Sequence, residues 1–264
     1  MIQQEMTAVQ PPEETGERLV PAVHPGETLQ QHAARYMFAA RYCAGKQVLD
    51  VASGLGYGTD YLRRQGADVV GLEIDIAAVQ YSQYQYPSST FVHGNAEAMP
   101  GKWSHSFDVI VSFETIEHLE RPQDFLQGVV RCLRPGGLFI CSTPNKSLYP
   151  FDNQNPFHVR EFQLGEFVHF IGSFLHVQQL LGQSFHPRWQ VLFTAIRGLV
   201  RRMLRAFHVP PLGVSRALSK AESPSPFEGN SIVTEKVVPE FLPCGIPRNS
   251  VPAFLVVVAE ESSK

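Results

Sequence analysis

Residues 47–64 read QVLDVASGLGYGTDYLRR, and this stretch decides the fold. Val48, Leu49 and Val51 make a short apolar run, Gly54, Gly56 and Gly58 follow, and Tyr61 and Leu62 begin a helical pattern. A strand that turns through glycines into a helix exposes backbone N–H groups at the helix start, and glycine lets a ligand approach them closely. The unit then repeats. DVVGLEID (68–75) predicts a second strand, IAAVQYSQY (76–84) a helix, STFVHG (89–94) a third strand and FDVIVSF (107–113) a fourth. PQDFLQGVVRCL (122–133) is a helix with Pro122 in its first turn, and GLFICSTP (137–144) a fifth strand entered through Arg134-Pro135-Gly136-Gly137. Short apolar strands alternating with amphipathic helices specify an α/β fold, with a mostly parallel sheet covered on both faces.

Outward from this centre the pattern weakens. Thr28 to Tyr42 predicts a helix that docks on the main domain through Leu29, Ala33, Met37 and Ala40, with Thr28 as its N-cap and Arg35 and Tyr36 turned towards a ligand. Residues 1–18 read as a polar, flexible tail. Downstream, Glu161–Phe170 predicts a helix, Phe174–Leu181 an extended segment, and VPAFLVVVAE from Val251 a strong final strand. Residues 19–183 with 251–264 therefore form the expected main domain, and 184–250 an insertion or cap. From Phe167 to Ala221 there is no Asp or Glu, while Arg197, Arg201 and Arg205 stand in a row beside an apolar stripe of Ile196, Leu199, Val200, Met203 and Phe207. Residues 190–207 thus suit peripheral contact with an anionic membrane or a lid over phosphate-bearing substrates, and equally the solvated face of a packed helix.

The net charge of −3 gives no global attraction to nucleic acid, which is excluded as the expected partner. Cys43, Cys132, Cys141 and Cys244 form no CxxC pair, so neither a zinc ribbon nor a dithiol redox centre is indicated. The polar N-terminus and the lack of a long uncharged apolar run imply a cytoplasmic setting, with a peripheral position at the inner membrane surface as the basic stripe's corollary.

The glycine spacing is GxGxG, a departure from the GxGxxG dinucleotide fingerprint that speaks against a nicotinamide enzyme. Taken alone, it also fits a tight turn with no ligand. Glu73 ends the second strand about 20 residues beyond the turn, where a carboxylate accepts hydrogen bonds from both hydroxyls of a ribose. A nucleoside ligand follows. Asp75 fits best as the N-cap of the next helix.

Together GERLVP (16–21), VLDVASGLGYGTDYL (48–62), VVGLEID (69–75), FDVIVSFETIEHL (107–119), LRPGGLFICSTPN (133–145) and NPFHVREF (155–162) resemble the class I S-adenosylmethionine-dependent methyltransferases, particularly a bacterial branch associated with glycan and surface-polysaccharide synthesis. The resemblance implies a Rossmann-like sheet with a late antiparallel strand, and S-adenosyl-L-methionine as cofactor. It places Gly54, Gly56 and Gly58 at the methionine moiety, with Ser53 of the same turn also binding the cofactor, Asp50 at its amino group, Glu73 at the ribose, Asn95 and Ala96 at adenine, and Phe113 and Glu114 near the sulfonium and the substrate entrance. Tyr36 is expected to contact the cofactor from the first helix, simple packing of that helix being the alternative. Asn95 stands where the family often has Asp, and Ala52 replaces a frequent glycine, a change tolerated if residue 52 keeps a strand conformation.

Methyl transfer needs alignment of nucleophile and methyl carbon, and a hydroxyl acceptor must also lose its proton. His158 is the first candidate base and His118 the second, with Glu114, Glu117 and Glu161 as further carboxylates; Arg160 and Glu161 are expected to bind the acceptor. Capping or orienting the next helix is an equally good account of His158. No His/Cys/Asp group has metal-ligand spacing, so a metal-independent reaction is expected. The acceptor is expected to be a small molecule or saccharide, such as a nucleotide- or lipid-linked sugar. A quinone-like or phenolic acceptor and a non-catalytic nucleoside-binding module are the alternatives.

Overall fold

The computed structural model describes residues 12, 27–148, 155–187, 227–228, 231–232, 241–243 and 250–261. The expected tail apart from Pro12, the GERLVP segment, Cys244 and the basic stripe at 190–207 lie outside them. Helix α1 (Glu27–Cys43) precedes strand β1 (Gln47–Val51), α2 (Tyr57–Arg64), β2 (Asp68–Glu73), α3 (Ile76–Gln85), β3 (Thr90–His93), β4 (Phe107–Phe113), α4 (Pro122–Cys132), β5 (Leu133–Pro144), α5 (Leu164–Gly172) and β6 (His176–Pro187). The short strands β7 (Phe227–Glu228), β8 (Ser231–Ile232) and β9 (Phe241–Pro243) follow, and β10 (Ser250–Glu260) closes the order.

The sheet runs β3-β2-β1-β4-β5-β10-β6-β9, and β7 pairs separately with β8. Strands β1 to β5 are mutually parallel, whereas β10 is antiparallel to both β5 and β6. The mostly parallel α/β sheet with one late antiparallel strand is as expected; β9, an antiparallel edge strand on β6, was not foreseen. Of the two late predictions, the helix starts at Leu164 rather than Glu161, and the extended segment runs from His176 to Pro187. Gln163 explains the first shift: its side chain accepts from the backbone of Glu166, whose carboxylate accepts from the Gln163 N–H. Helix α1 likewise begins at Glu27, so Thr28 lies inside its first turn rather than capping it.

Strand alternation assigns residues to the two faces. On the face covered by α1, α2 and α3, Val48, Val111 and Val256 join Leu29, Ala33, Tyr61 and Leu62. On the face covered by α4 and α5, Leu49, Val51, Ile110 and Val257 join Phe125, Leu126, Phe139 and Phe167. Five consecutive residues of β10, Leu255–Ala259, are fully buried because helices lie on both sides. The same alternation puts Asp50 on the face of Val48, beneath α1 and α2, which governs its role below.

Cys43, Cys132 and Cys141 are buried free thiols. Burial pushes the Cys43 thiol up to about 12, so no reactive thiolate forms there. No helix among the described residues is long and apolar enough to cross a membrane.

Candidate active site

The carboxyl ends of β1, β2 and β4 open into one cavity of about 600 Å³, at the edge where parallel α/β sheets hold ligands. Its lining includes Ser53, Gly54, Glu73, Asn95 and Ala96 after β1, β2 and β3, Phe113, Glu114 and His118 at and after β4, His158 from the loop before α5, and Tyr36 from α1. Ten of the expected site residues are thus brought together. Asp50, Gly56, Gly58, Arg160 and Glu161 do not line the cavity, and each has a physical reason.

Asp50 is fully buried and takes hydrogen bonds from Thr59 Oγ1 at 2.6 Å and from the Tyr36 hydroxyl at 3.2 Å. Burial pushes its carboxyl up to about 7, against the opposing pull of those two donors. Gly56 and Gly58 are packing glycines. A Cβ on Gly56, whose φ is +79°, would lie 2.7 Å from the Phe91 ring, and one on Gly58 would lie 2.0 Å from the Tyr36 ring. Gly54, at φ +57° with open space around it, is the glycine of the three that faces the cavity. Ala52 does not keep a strand conformation: its φ of 60° is left-handed, so the alanine is strained where glycine would not be.

Glu73 fastens the turn. Its Oε2 accepts from the Gly54 N–H at 2.8 Å and its Oε1 from the Asp75 N–H at 3.0 Å, which holds the carboxylate at the cavity wall beside exposed Ile74. Asp75 caps α3 by accepting from the Ala77 N–H. Asn95 accepts from the Glu97 N–H at 2.8 Å, which fixes its amide at the start of a short 3-10 turn with Ala96 beside it.

Helix α1 forms the roof through Thr28, His32, Arg35 and Tyr36. Arg35 is almost fully buried: its Nε donates to Gln183 at 2.9 Å, its guanidinium lies 4.1 Å over the Phe254 ring, and Nη1 is 3.5 Å from Glu114. His32 pairs with the Tyr57 hydroxyl at 2.7 Å, and burial beside cationic Arg35 pulls its pKa down to about 3, so the ring is neutral. Sequence reading missed His32, Tyr57 and Phe254. His32 stands one helical turn before Tyr36, the signal that would have found it.

Glu114 has a φ of 53°, an uncommon conformation for glutamate, and its carboxylate accepts from Ser142 Oγ at 2.6 Å. Glu117 is fully buried, with Oε2 accepting from Thr143 and Oε1 without a hydrogen-bond partner. Burial, reinforced by Glu114, raises its pKa well above the usual carboxylate range. The rings of His118 and His158 meet edge to face at 4.8 Å. Each Nδ1 is anchored, His118 on the Phe157 carbonyl at 3.1 Å and His158 on Glu161 at 2.9 Å. Glu161 therefore sits behind His158 instead of facing an acceptor. Arg160 turns away as well: its guanidinium stacks on Phe162 at 4.8 Å and its N–H donates to the Glu117 carbonyl. One ligand-capable atom from each of Glu117, His118 and His158 lies within 4.8 Å of the others, a grouping that their positions in sequence conceal.

Residues 49–141 match the family described as "Methyltransferase domain". A Mycolicibacterium smegmatis protein named "Probable S-adenosylmethionine-dependent methyltransferase" is 36% identical over 177 residues, covering 65% of this chain and 68% of that one. The chain belongs to the S-adenosylmethionine-dependent methyltransferases. S-Adenosyl-L-methionine is accordingly its cofactor. The chain spans a smaller share, 57%, of a Mycobacterium tuberculosis relative 32% identical to it. A ubiquinone biosynthesis O-methyltransferase from Roseobacter denitrificans is 35% identical over 108 residues, which cover 39% of this chain and 43% of that protein. Among solved structures, a Haloferax volcanii chain in complex with the Trm112 methyltransferase activator superposes with a TM-score of 0.58 at 16% identity, covering 88% of this chain and 91% of that one. At that identity the likeness concerns the fold.

Proposed function

We propose that the chain, through a domain made of residues 19–183 and 251–264, moves the methyl group of S-adenosylmethionine to a hydroxyl of a small acceptor, a saccharide or a nucleotide- or lipid-linked sugar. One observation carries this reading: a single cavity is lined both by a ribose-type carboxylate, Glu73, and by the paired histidines His118 and His158. The cofactor's adenosine lies along Glu73, Asn95 and Ala96, and its methionine portion runs over Ser53 and Gly54 towards Phe113 and Glu114. Asp50 acts on the cofactor's amino end as a positioning residue, through the Tyr36 hydroxyl it holds.

The methyl carbon then faces the histidine end, where the acceptor hydroxyl is aligned and loses its proton. Methyl transfer breaks the S–C bond and forms the C–O bond, with the electron pair remaining on sulfur. Alignment and exclusion of water supply most of the acceleration. Glu120 and Asn155, which also line the cavity, offer acceptor groups that sugar hydroxyls use as partners. A phenolic or quinol acceptor is the second reading, favoured by the likeness to the ubiquinone biosynthesis enzyme.

Radiolabelled methyl transfer, screened against nucleotide sugars, lipid-linked saccharides and dihydroxyphenols, tests the proposal. Label on a sugar hydroxyl supports the first reading and label on a phenol the second. Binding of S-adenosylhomocysteine with no transfer to any hydroxylated acceptor would leave a nucleoside-binding module.

A further inference from the structure

We propose that Glu117, His118 and His158 hold one divalent transition-metal ion at the acceptor end of the cavity. Four observations combine. Their ligand-capable atoms lie within 4.8 Å of one another, the spread that one ion spans. A carbonyl oxygen only accepts, so the contact with Phe157 fixes the proton of His118 on Nδ1 and leaves Nε2 as the coordinating nitrogen. Glu161 fixes His158 in the same tautomer, the carboxylate–histidine arrangement that orients metal-bound imidazoles. Finally, Glu117 is fully buried and its Oε1 has no hydrogen-bond partner, although it belongs to a cavity-lining side chain. An unpaired buried oxygen of this kind is destabilising, and coordination to a cation removes that cost.

Two imidazoles and one carboxylate select a borderline ion such as Zn²⁺, Co²⁺, Fe²⁺ or Mn²⁺ over Mg²⁺ or Ca²⁺, which favour all-oxygen sites. Three protein ligands leave at least one position open. Resting on the proposed hydroxyl transfer, we assign that position to the acceptor oxygen. The ion lowers the hydroxyl's pKa, its proton leaves to solvent water, and the resulting oxygen lone pair attacks the methyl carbon as the S–C bond breaks. No change of oxidation state occurs. The ion thereby takes the place of His158 as the group that activates the hydroxyl, and Glu161 becomes its positioning residue.

The test uses the full chain stripped with a chelator and then titrated with Co²⁺, followed by the visible ligand-field bands of the bound ion, and in parallel with S-adenosylhomocysteine by calorimetry. We expect one equivalent of Co²⁺, displaced by Zn²⁺. His118→Ala and His158→Ala should each weaken it at least 10-fold and Glu161→Gln about 10-fold, with S-adenosylhomocysteine affinity retained. His93→Ala serves as the control. A chain that binds S-adenosylhomocysteine but shows no Co²⁺ bands overturns the metal site and leaves the methyltransferase reading intact. Bands that persist unchanged in both histidine variants overturn it equally, because the ion then lies elsewhere. Co²⁺ bound as expected with no uptake of S-adenosylhomocysteine keeps the site and removes its proposed role.

Discussion

The Tyr36 ring occupies the space that a Cβ on residue 58 would need, with ring carbons from 2.0 Å of that position. This contact, rather than ligand approach, explains the third glycine of the turn. Tyr36 cannot simply swing aside, because it is buried and its hydroxyl donates to buried Asp50. Gly58→Ala should therefore destabilise the fold: overpacking costs ~1–3 kcal/mol and the strained hydrogen bond about 1 more, against a helix-propensity gain of only ~1 kcal/mol. A drop in urea midpoint equivalent to ~2 kcal/mol is expected. Pairing it with Tyr36→Ala should cost less than the two single changes summed; strict additivity would show that the ring and residue 58 do not compete.

Ala52 is predicted to respond in the opposite direction. Its left-handed φ of 60° costs an L-residue ~1–2 kcal/mol, while glycine adds only ~0.4–1 kcal/mol of unfolded-state entropy. Ala52→Gly should raise stability by ~0.5–1 kcal/mol, measured as a higher urea midpoint at unchanged slope. A lower midpoint would mean that residue 52 is not left-handed in solution.

Asp50 and His32 should oppose one another in their effects on pH-dependent stability. Asp50, raised to about 7 by burial, keeps its proton in the folded state at pH values where the unfolded chain has released it, so this residue makes stability fall as pH rises from about 4 to about 7. His32, lowered to about 3, stays neutral where the unfolded imidazole is charged, so its contribution is complete above about 6.5 and is lost as pH falls towards 3. Over the shared range the slopes cancel, leaving the wild type nearly flat from these two groups. Asp50→Asn should uncover stability that rises with pH, and His32→Gln stability that falls with pH, each by up to ~1.4 kcal/mol per pH unit. Chemical denaturation at pH 4.5, 5.5 and 6.5 reads both; two variants with the same sign of slope would refute the assignment.

These cases show where sequence reading reached and where it stopped. The strands themselves were legible because the apolar runs of β1, β2, β4 and β5 are bounded by turns, and because β10 has an uninterrupted buried run that suits a place between two helical layers. Glu73 was legible because its distance from the glycine turn is set by one βαβ unit. The individual glycine roles were not, since Gly54, Gly56 and Gly58 look alike in sequence while only their neighbours Phe91 and Tyr36 distinguish them. Arg160 was misplaced because its charge suggested an anion, whereas Phe162 and Phe170 offered it aromatic faces. The Glu117–His118–His158 grouping stayed hidden because tertiary packing, not local spacing, joins the segment after β4 to the loop before α5.

Glu73 should separate cofactor binding from fold stability. Its carboxylate already accepts from the Gly54 and Asp75 N–H groups, so an incoming ribose finds it preorganised with lone pairs still available. Hydrogen bonds to a charged group are worth ~1.5–3 kcal/mol, and each 1.4 kcal/mol is about tenfold in affinity. Glu73→Ala should weaken S-adenosylhomocysteine binding by ~10–100-fold and also loosen the turn. Glu73→Gln distinguishes the two effects: its single carbonyl oxygen can keep one backbone contact, so stability should recover more than affinity does. If Glu73→Gln instead restores affinity fully by calorimetry, the carboxylate serves the turn alone and the ribose must be held elsewhere.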